Sequence, residues 1–333
     1  MTHTRRQFHT AVLHSAGACW MYALGRAFAE DNETDGLSHH GRWTTLSSQL
    51  AVPRMGACSA AVDGRIYVFG GYSTELLDSV ERYDPSDETV KFCTPLSVAR
   101  EETAAAAVGD AVYLFGGRTS AGPLDVVEAY HITKDSYVSC SPMPEKKKDV
   151  ATGVIDEKIY LAGGDAGPVW SDRLDAYHPA TDSYSSLAPM PTPRKDAAGA
   201  VIHGQLFVIG GSNRDGYLSD NEVYDPQRDV WSTRRPMPLQ SSSMSVAVVD
   251  EWILLFGGAC SAGHRSDVLA YDPSHDHWSR LTPMPLACEE AVNAVFDQSV
   301  YLLGGDTRRE GRLSSIRRFD LAAHPASEEE ISQ

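Results

Sequence analysis

Short runs of charged residues recur along the chain and combine two kinds of side chain that recognise polar ligands. The clearest runs are Arg100–Glu102, Lys147–Asp149 and Arg194–Asp196, which follow one another at intervals of 47 residues. A guanidinium or ammonium group binds carboxylates, and a carboxylate accepts hydrogen bonds from hydroxyl groups and can serve as a general acid or base. If the fold brings these runs together, they could bind a polyhydroxylated or anionic ligand.

The same three places occur six times, and each begins 16 residues before a Gly-Gly doublet. Four of the six first places are basic and four of the six third places are acidic. The first places hold Arg54, Arg100, Lys147, Arg194, Ser241 and Cys288, and the third places hold Gly56, Glu102, Asp149, Asp196, Ser243 and Glu290.

The doublets themselves define an internal repeat, because the first one begins at Gly70 and the others follow at spacings of 46, 47, 47, 47 and 47 residues. Each ends a short aromatic or β-branched run such as "RIYVFGG" or "QLFVIGG". Tyr-Asp-Pro or a variant of it keeps the same phase, and seven residues after its Tyr stands Val90, Tyr137, Tyr184, Trp231 or Trp278. A proline-containing segment such as "SPMP" closes most units.

Each unit is interpreted as four short strands. The first strand is small and apolar, and a turn such as Asp63-Gly64 leads to the strand that carries the doublet. "EETAAAAV" favours a helix by local propensity. The repeat overrides this propensity, because small residues are needed where innermost strands converge. A period of about 40–50 residues with four strands per unit is typical of a propeller blade.

The Gly-Gly, Tyr-Asp-Pro and Trp markers resemble those of the kelch-repeat family over residues 42–321. The resemblance implies an all-β, six-bladed propeller with four antiparallel strands per blade. Val90, Tyr137 and Tyr184 depart from the usual Trp, and His131 and His178 from the usual Asp. Trp43 lies 47 residues before Val90 and has no blade of its own. We therefore expect the strand around Trp43 to complete the sixth blade and remove its open edge.

Antiparallel pairing of the first two strands predicts that the charged places ring one mouth of the central channel, beside the loops that follow the doublets. Those loops carry Tyr72, Arg118, Asp165, Trp170, Arg214, His264, Arg265, Arg308 and Arg309. Two interpretations stay open. The charges pair and hold the blades together, or they form a polar pocket for a small ligand or peptide. The second interpretation makes ligand-binding candidates of Arg54, Arg100, Glu102, Lys147, Asp149, Arg194, Asp196, Glu290, Arg214 and Trp170.

The kelch resemblance implies a binding module for a protein or a glycan as the default function. An alternative is a sugar-active enzyme, because exported bacterial kelch propellers include mutarotases that interconvert sialic acid anomers. The acid or base would then come from the four third-place carboxyls, and Arg100, Arg194 or Arg214 would bind the ligand carboxylate. A third possibility is a purely structural envelope protein. No group has metal-site spacing and no cofactor motif is present, so neither a metal nor a cofactor is predicted.

The chain ends bear on location. "TRRQF" resembles a twin-arginine export motif, and an apolar stretch with Ala27–Ala29 follows, so residues 1–29 are predicted to be a cleaved export signal to the periplasm or exterior. Residues 30–41 form a polar linker and residues 322–333 an acidic tail. Cleavage would remove three arginines and change the net charge from −16 to −19. This charge argues against nucleic-acid and anionic-membrane binding, and the apolar stretch is too short to span a membrane. A Cys260–Cys288 disulfide is conceivable.

Overall fold

The chain forms a ring of six antiparallel sheets. The computed structural model describes residues 41–321. It contains one four-stranded sheet per repeat, and the innermost strand of each sheet contacts those of both neighbouring sheets. The predicted six-bladed propeller is therefore confirmed. Apart from Gly41, the predicted export signal, linker and acidic tail lie outside the described residues.

The strands of the blades, in chain order within each blade, have the following bounds. Blade 1 comprises β2 (Cys58–Val62), β3 (Arg65–Phe69), β4 (Val80–Asp84) and β5 (Thr89–Cys93); blade 2, β6 (Ala104–Val108), β7 (Ala111–Phe115), β10 (Val127–His131) and β11 (Ser136–Cys140); blade 3, β12 (Ala151–Ile155), β13 (Lys158–Ala162), β14 (Leu174–His178) and β15 (Ser183–Leu187); blade 4, β16 (Ala198–Ile202), β17 (Gln205–Ile209), β20 (Asn221–Asp225) and β21 (Val230–Arg234); blade 5, β22 (Ser245–Val249), β23 (Trp252–Phe256), β26 (Val268–Asp272) and β27 (His277–Leu281); and blade 6, β28 (Val292–Phe296), β29 (Ser299–Leu303), β32 (Ser315–Asp320) and the N-terminal β1 (Arg42–Gln49).

Four blades extend the loop after the doublet into a two-stranded hairpin. These hairpins are β8 (Arg118–Thr119) with β9 (Gly122–Pro123), β18 (Ser212–Asn213) with β19 (Gly216–Tyr217), β24 (Ala259–Cys260) with β25 (Gly263–His264), and β30 (Asp306–Thr307) with β31 (Gly311–Arg312). Residues 41–321 include no apolar helix of membrane-spanning length.

The ring closes as the position of Trp43 predicted. Strand β1 pairs antiparallel with β32, which places Trp43 opposite Phe319. The indole packs against Phe319 and, edge-on, against Phe256 of blade 5. Its Nε1 donates a hydrogen bond to the carbonyl of Thr282, 3.2 Å away. The first described strand thus ties the N-terminal end of the chain to the last two blades.

Small residues allow the innermost strands to meet at the axis. Ala104, Ala105 and Ala106 are fully buried in β6. A Cβ atom at Gly199 would lie only 2.7 Å from the carbonyl oxygen of Thr152 in the neighbouring blade. Strand pairing, rather than the helix propensity of alanine, therefore determines the local structure here, because larger side chains would separate the blades.

The face of the ring opposite the Gly-Gly doublets is stabilised by a turn that repeats in blades 2 to 5. In blade 4 the Tyr224 hydroxyl donates to Asp229 at 2.6 Å, and Asp229 also accepts the amide of Ala188 in blade 3. The indole of Trp231 donates to the Ala188 carbonyl at 2.8 Å. In blade 3 the Tyr184 hydroxyl donates to the equivalent carbonyl, that of Ser141 in blade 2, at 3.1 Å, so this departure from Trp keeps the hydrogen bond between blades.

Cys260 and Cys288 are both buried free thiols, so the conceivable disulfide is not formed.

Candidate functional site

The face of the ring that carries the doublets is built by backbone hydrogen bonds between blades. The amide of Gly71 donates to the carbonyl of Arg100 in the next blade at 2.9 Å. Gly70 has φ +59°, and a Cβ there would lie 2.5 Å from the same carbonyl oxygen. Both the backbone conformation and the close approach therefore require glycine. We call this side of the molecule the Gly-Gly face.

The first-place bases lie inside the blades. Each is at most 1% exposed and pairs with an acid on the third strand of its own blade. The pairs are Arg54 with Glu81, Arg100 with Glu128 at 2.7 Å, Lys147 with Asp175 at 3.8 Å, and Arg194 with Glu222 at 3.0 Å. The expectation that these four side chains ring the channel mouth is thus wrong, because burial inside the blade keeps them away from any ligand on the face.

Blades 5 and 6 show what the first-place charge does. In blade 6 the first place is Cys288, and the third strand supplies Arg317, which donates to the Gly304 carbonyl at 2.7 Å. Arg54 donates to the equivalent carbonyl of Gly70 at 2.8 Å. The base of blade 6 lies on another strand but reaches the equivalent carbonyl, as Arg194 does in blade 4, so in these blades the base satisfies buried backbone. In blade 5 the first place is neutral, and Ser241 donates to the Ala259 carbonyl instead.

The third-place residues form a ring at the axis. Gly56, Glu102, Asp149, Asp196, Ser243 and Glu290 all have φ between 55° and 61°. From Gly56 to Glu290, the amide of each successive member donates to the carbonyl of the preceding one at 2.7–3.4 Å. The structure therefore brings the four predicted carboxyls together, but all four are buried. We call these six residues the axial ring.

Burial raises the pKa values of Asp149, Asp196 and Glu290 in the axial ring. The pKa of Asp149 is raised well above its ordinary range. Desolvation is the largest cause, and repulsion from Asp196 and Glu102 adds to it. Desolvation likewise raises the pKa of Asp196 to about 7, although Lys195 opposes the shift. The pKa of Glu290 is also raised well above its ordinary range, mainly by burial and by Glu289. These groups therefore take up protons at far higher pH than exposed carboxyls do.

The sequence interpretation left out the six second-place residues, which include two partly exposed charges, those of Lys148 and Lys195. Each of the six faces the first residue after a doublet through an antiparallel bridge, as Lys148 faces Asp165. The Lys148 ammonium lies 2.6 Å from Glu102 and 2.8 Å from Asp149. Lys195 lies 3.4 Å from Asp196 and 3.6 Å from Asp165. Two lysines thus cover the axial ring on the side of blades 2 to 4.

A cleft lies beside this cover, between the loops of blades 1, 2 and 6. Its volume is about 400 Å³, and its lining comprises Met55, Tyr72, Leu76, Glu101, Arg118, Thr119, Ser120 and Arg312. Arg118 bonds Glu101 at 2.7 Å and Glu102 at 2.8 Å. The Arg312 guanidinium lies 4.9 Å from the centroid of the Tyr72 ring.

Glu101 is the buried carboxyl of the cleft. Its pKa is raised by burial and by Glu102, and Arg118 opposes this effect. The antiparallel register could have revealed Glu101 and the two lysines, because the residue beside each third place must face the loop after a doublet.

The remaining predicted residues lie on the Gly-Gly face but outside the cleft. Trp170 is half-buried in the blade 3 loop, where it bridges to Asp165. Arg214 is exposed on the next hairpin and donates to the carbonyl of Pro168. Within residues 41–321 neither forms a hydrogen bond or an ion pair with the axial ring, so these two residues mark the rim of the face.

On the same face, blades 5 and 6 bring an imidazole and two carboxyls together. His264 Nε2 lies 2.9 Å from Glu289 Oε1, and Asp306 is the third member. Within residues 41–321, this is the one group of three or more such side chains spaced closely enough to hold a metal ion.

The fold and its charged Gly-Gly face define a closed kelch-type propeller, and comparison with known proteins agrees. The profile of the KLHDC2/KLHL20/DRC7 Kelch-repeats domain matches residues 95–258 and 144–305, and the Kelch motif matches residues 53–97. The chain belongs to the kelch-repeat family.

A search of curated proteins finds no significant match. Among solved structures, the chain is similar to one described as the structure of YjhT, with a TM-score of 0.72 and 16% identity. The match covers 80% of this chain and 95% of the other. At this identity the similarity supports the fold alone.

Proposed function

We propose that this propeller is a binding module that takes a small anionic, polyhydroxylated ligand, such as an acidic sugar, in the cleft between the loops of blades 1, 2 and 6. The observation that carries the proposal is the pairing of an aromatic face with two guanidinium groups around one cavity. A volume of about 400 Å³ suits a ligand the size of one or two sugar rings.

The lining offers complementary contacts for such a ligand. Arg312 is 40% exposed and its nearest acid, Asp306, lies 3.9 Å away, so the guanidinium can also bind a ligand carboxylate. Arg312 lies over one face of the Tyr72 ring, so the C–H face of a sugar would pack against the other face or the edge of this ring. Glu101 can accept hydrogen bonds from hydroxyl groups. The first-place bases are buried and pair with acids of their own blades, so they contribute to the scaffold and not to this recognition.

Binding is tested with the mature chain, residues 30–333, and a panel of glucose, glucuronic acid and N-acetylneuraminic acid. A compound at about 100 times its dissociation constant should stabilise the fold by about 2.7 kcal/mol in a thermal-shift assay. The acidic sugars should bind, and Arg312→Gln should weaken them at least about tenfold through the lost charged hydrogen bonds.

The matched control is Arg228→Ala, which removes an exposed arginine from a strand turn on the opposite face. Wild-type affinity in Arg312→Gln would contradict the proposed site. A flat panel would contradict the sugar ligand and direct the search to a protein partner, by cross-linking.

A second candidate function is acid–base catalysis on the same ligand, as in the mutarotase-like alternative. The observation that favours it is the Glu101 carboxyl, which lies in the cleft with a raised pKa. Such a group holds a proton closer to neutral pH and could exchange it with an anomeric hydroxyl or ring oxygen. The test is anomer exchange of N-acetylneuraminic acid followed by NMR. Catalysis should disappear in Glu101→Gln, whereas binding alone would leave exchange at the uncatalysed rate in both proteins.

We also propose that the chain is exported. The support is the sequence of residues 1–29, and the test is the mass of the protein recovered from periplasm. A chain beginning at Glu30 is expected, and an intact chain confined to the cytoplasm would contradict the proposal.

A further inference from the structure

Blade 6 pairs two acids at a position where no other blade does. Glu289 and Asp306 face each other across the bridge between the second place and the first residue after the doublet. At this bridge blade 2 pairs Glu101 with Arg118, and blade 3 pairs Lys148 with Asp165. Like charges directly opposite on paired strands destabilise the pair. The Glu289–Asp306 pair therefore needs a positive partner.

His264 reaches this pair from blade 5. It ends the hairpin formed by β24 and β25, and its Nε2 lies 2.9 Å from Glu289 Oε1. The ligand atoms of His264, Glu289 and Asp306 all lie within 4.8 Å of one another. Three potential ligands from two blades thus converge on one point of the Gly-Gly face.

Two buried polar atoms of this group have no partner among the described residues. Glu289 is 6% exposed, and its Oε2 has no hydrogen-bond partner among the described residues. The Nδ1 of His264 is buried and likewise has none among residues 41–321. A buried carboxylate oxygen without a partner is costly, so an additional cation would relieve this site.

We propose that His264, Glu289 and Asp306 bind a divalent transition-metal ion. One imidazole nitrogen and two carboxylate oxygens suit Zn²⁺ or Mn²⁺. Metal–ligand bonds of about 2.0–2.2 Å place adjacent ligands about 3 Å apart, close to the 2.9 Å between His264 and Glu289. Asp306 completes the set by a small rotation, and water fills the open positions. Arg312, whose Nε lies 3.9 Å from Asp306, remains outside the coordination sphere.

Metal binding would join blades 5 and 6 at the channel mouth. The ion would also neutralise the two acids, which removes their repulsion and leaves a Lewis-acidic centre with open positions on the Gly-Gly face. The inference does not rest on the proposed sugar ligand: none of the three metal ligands lines the cleft, although Asp306 lies 3.9 Å from Arg312, which does.

The test is isothermal titration of the full chain, stripped with a chelator, with Zn²⁺ and separately with Mn²⁺. We expect one saturable site per chain for at least one of these ions. Asp306→Asn and His264→Gln should each weaken it by at least about tenfold, since loss of even an outer-shell partner costs 10–100-fold. Substitution of Co²⁺ should give an absorption band that reports nitrogen and oxygen ligands and that His264→Gln alters.

Two controls separate this site from casual histidine binding. His275→Gln removes an exposed imidazole that pairs with Asp272 at 2.6 Å but has no third ligand. A variant with His39→Gln and His40→Gln removes adjacent histidines, which can bind metals by themselves. Both should keep the wild-type affinity. The proposal is overturned if wild type shows no saturable site, if either control abolishes it, or if Asp306→Asn, checked for folding by circular dichroism, binds as well as wild type.

Discussion

Replacing Asp196 by Asn should make the protein less sensitive to alkaline destabilisation. Asp196 is fully buried in the axial ring, where its φ is 56°. Asn tolerates this left-handed backbone conformation as well as Asp does. The amide also has nearly the shape of a protonated carboxyl. The substitution therefore removes the titration of the group while leaving the backbone and packing in place.

The sign and size of the effect follow from the pKa of Asp196, which burial raises from 3.8 to about 7. Between these values the folded state keeps the proton that the unfolded state has lost, so stability falls as pH rises. One pKa unit corresponds to about 1.4 kcal/mol, so titration of Asp196 should cost wild type about 3 kcal/mol between pH 5 and pH 8. Above pH 7 this contribution changes no further.

The assay is urea unfolding of wild type and Asp196→Asn at pH 5 and pH 8, with equal m values as the check that the transition is comparable. Wild type should lose about 3 kcal/mol more than the variant over this range. Asp215→Asn is the control, because Asp215 is exposed on a hairpin of the same face. Parallel pH dependences for wild type and Asp196→Asn would refute the argument that a buried, protonated carboxyl occupies the axial ring.

Three further changes test the scaffold. Arg100→Met should cost about 3–5 kcal/mol in urea unfolding because it leaves Glu128 buried and unpaired, whereas adding Glu128→Gln should restore most of the loss; a stable single variant would contradict the scaffold role. Trp43→Ala should cost about 2–3 kcal/mol and loosen blade 6, measured as faster amide exchange in its strands; unchanged exchange would count against closure by β1. Gly116→Ala should cost at least about 2 kcal/mol in thermal unfolding. The control Gly109→Ala has a similar φ but open space around it, so it should cost less, and equal losses would show that the close approach does not matter.

Most of the fold could be predicted from the repeat, because its marker residues make contacts that recur from blade to blade. Each doublet glycine touches the next blade's backbone, so its spacing predicts the blade period directly. Trp43 shares the phase of Trp231 and Trp278. Like the indole of Trp231, its indole donates a hydrogen bond to a carbonyl of the preceding blade in the ring. This common phase is why the closing strand could be predicted from one residue.

The site was harder to predict. A charged side chain near the start of a strand can point into the interior of its own blade or out toward the mouth of the channel. The position of Glu81, Glu128, Asp175 and Glu222 at one phase of the repeat held the missing information. An acid that recurs where a base recurs indicates a buried pair. Among the three proposed metal ligands, Glu289 and Asp306 occupy periodic positions, but His264 has no periodic marker, since it comes from a hairpin that only four of the described blades possess.

The axial ring is the part of the molecule that a purely structural role explains least. Gly56 adopts the left-handed backbone conformation of the ring without steric cost. Glu102 and Glu290 adopt the same conformation, although it is unfavourable for residues with their side chains. Burial of four carboxyls around one axis adds a desolvation cost that alanine or serine would avoid, as Ser243 does at the same place. Backbone strain and buried ionisable groups are common at functional sites. The lysines that cover the ring and the cleft beside it lie on the same face, so a ligand bound in the proposed cleft would lie close to these ionisable groups.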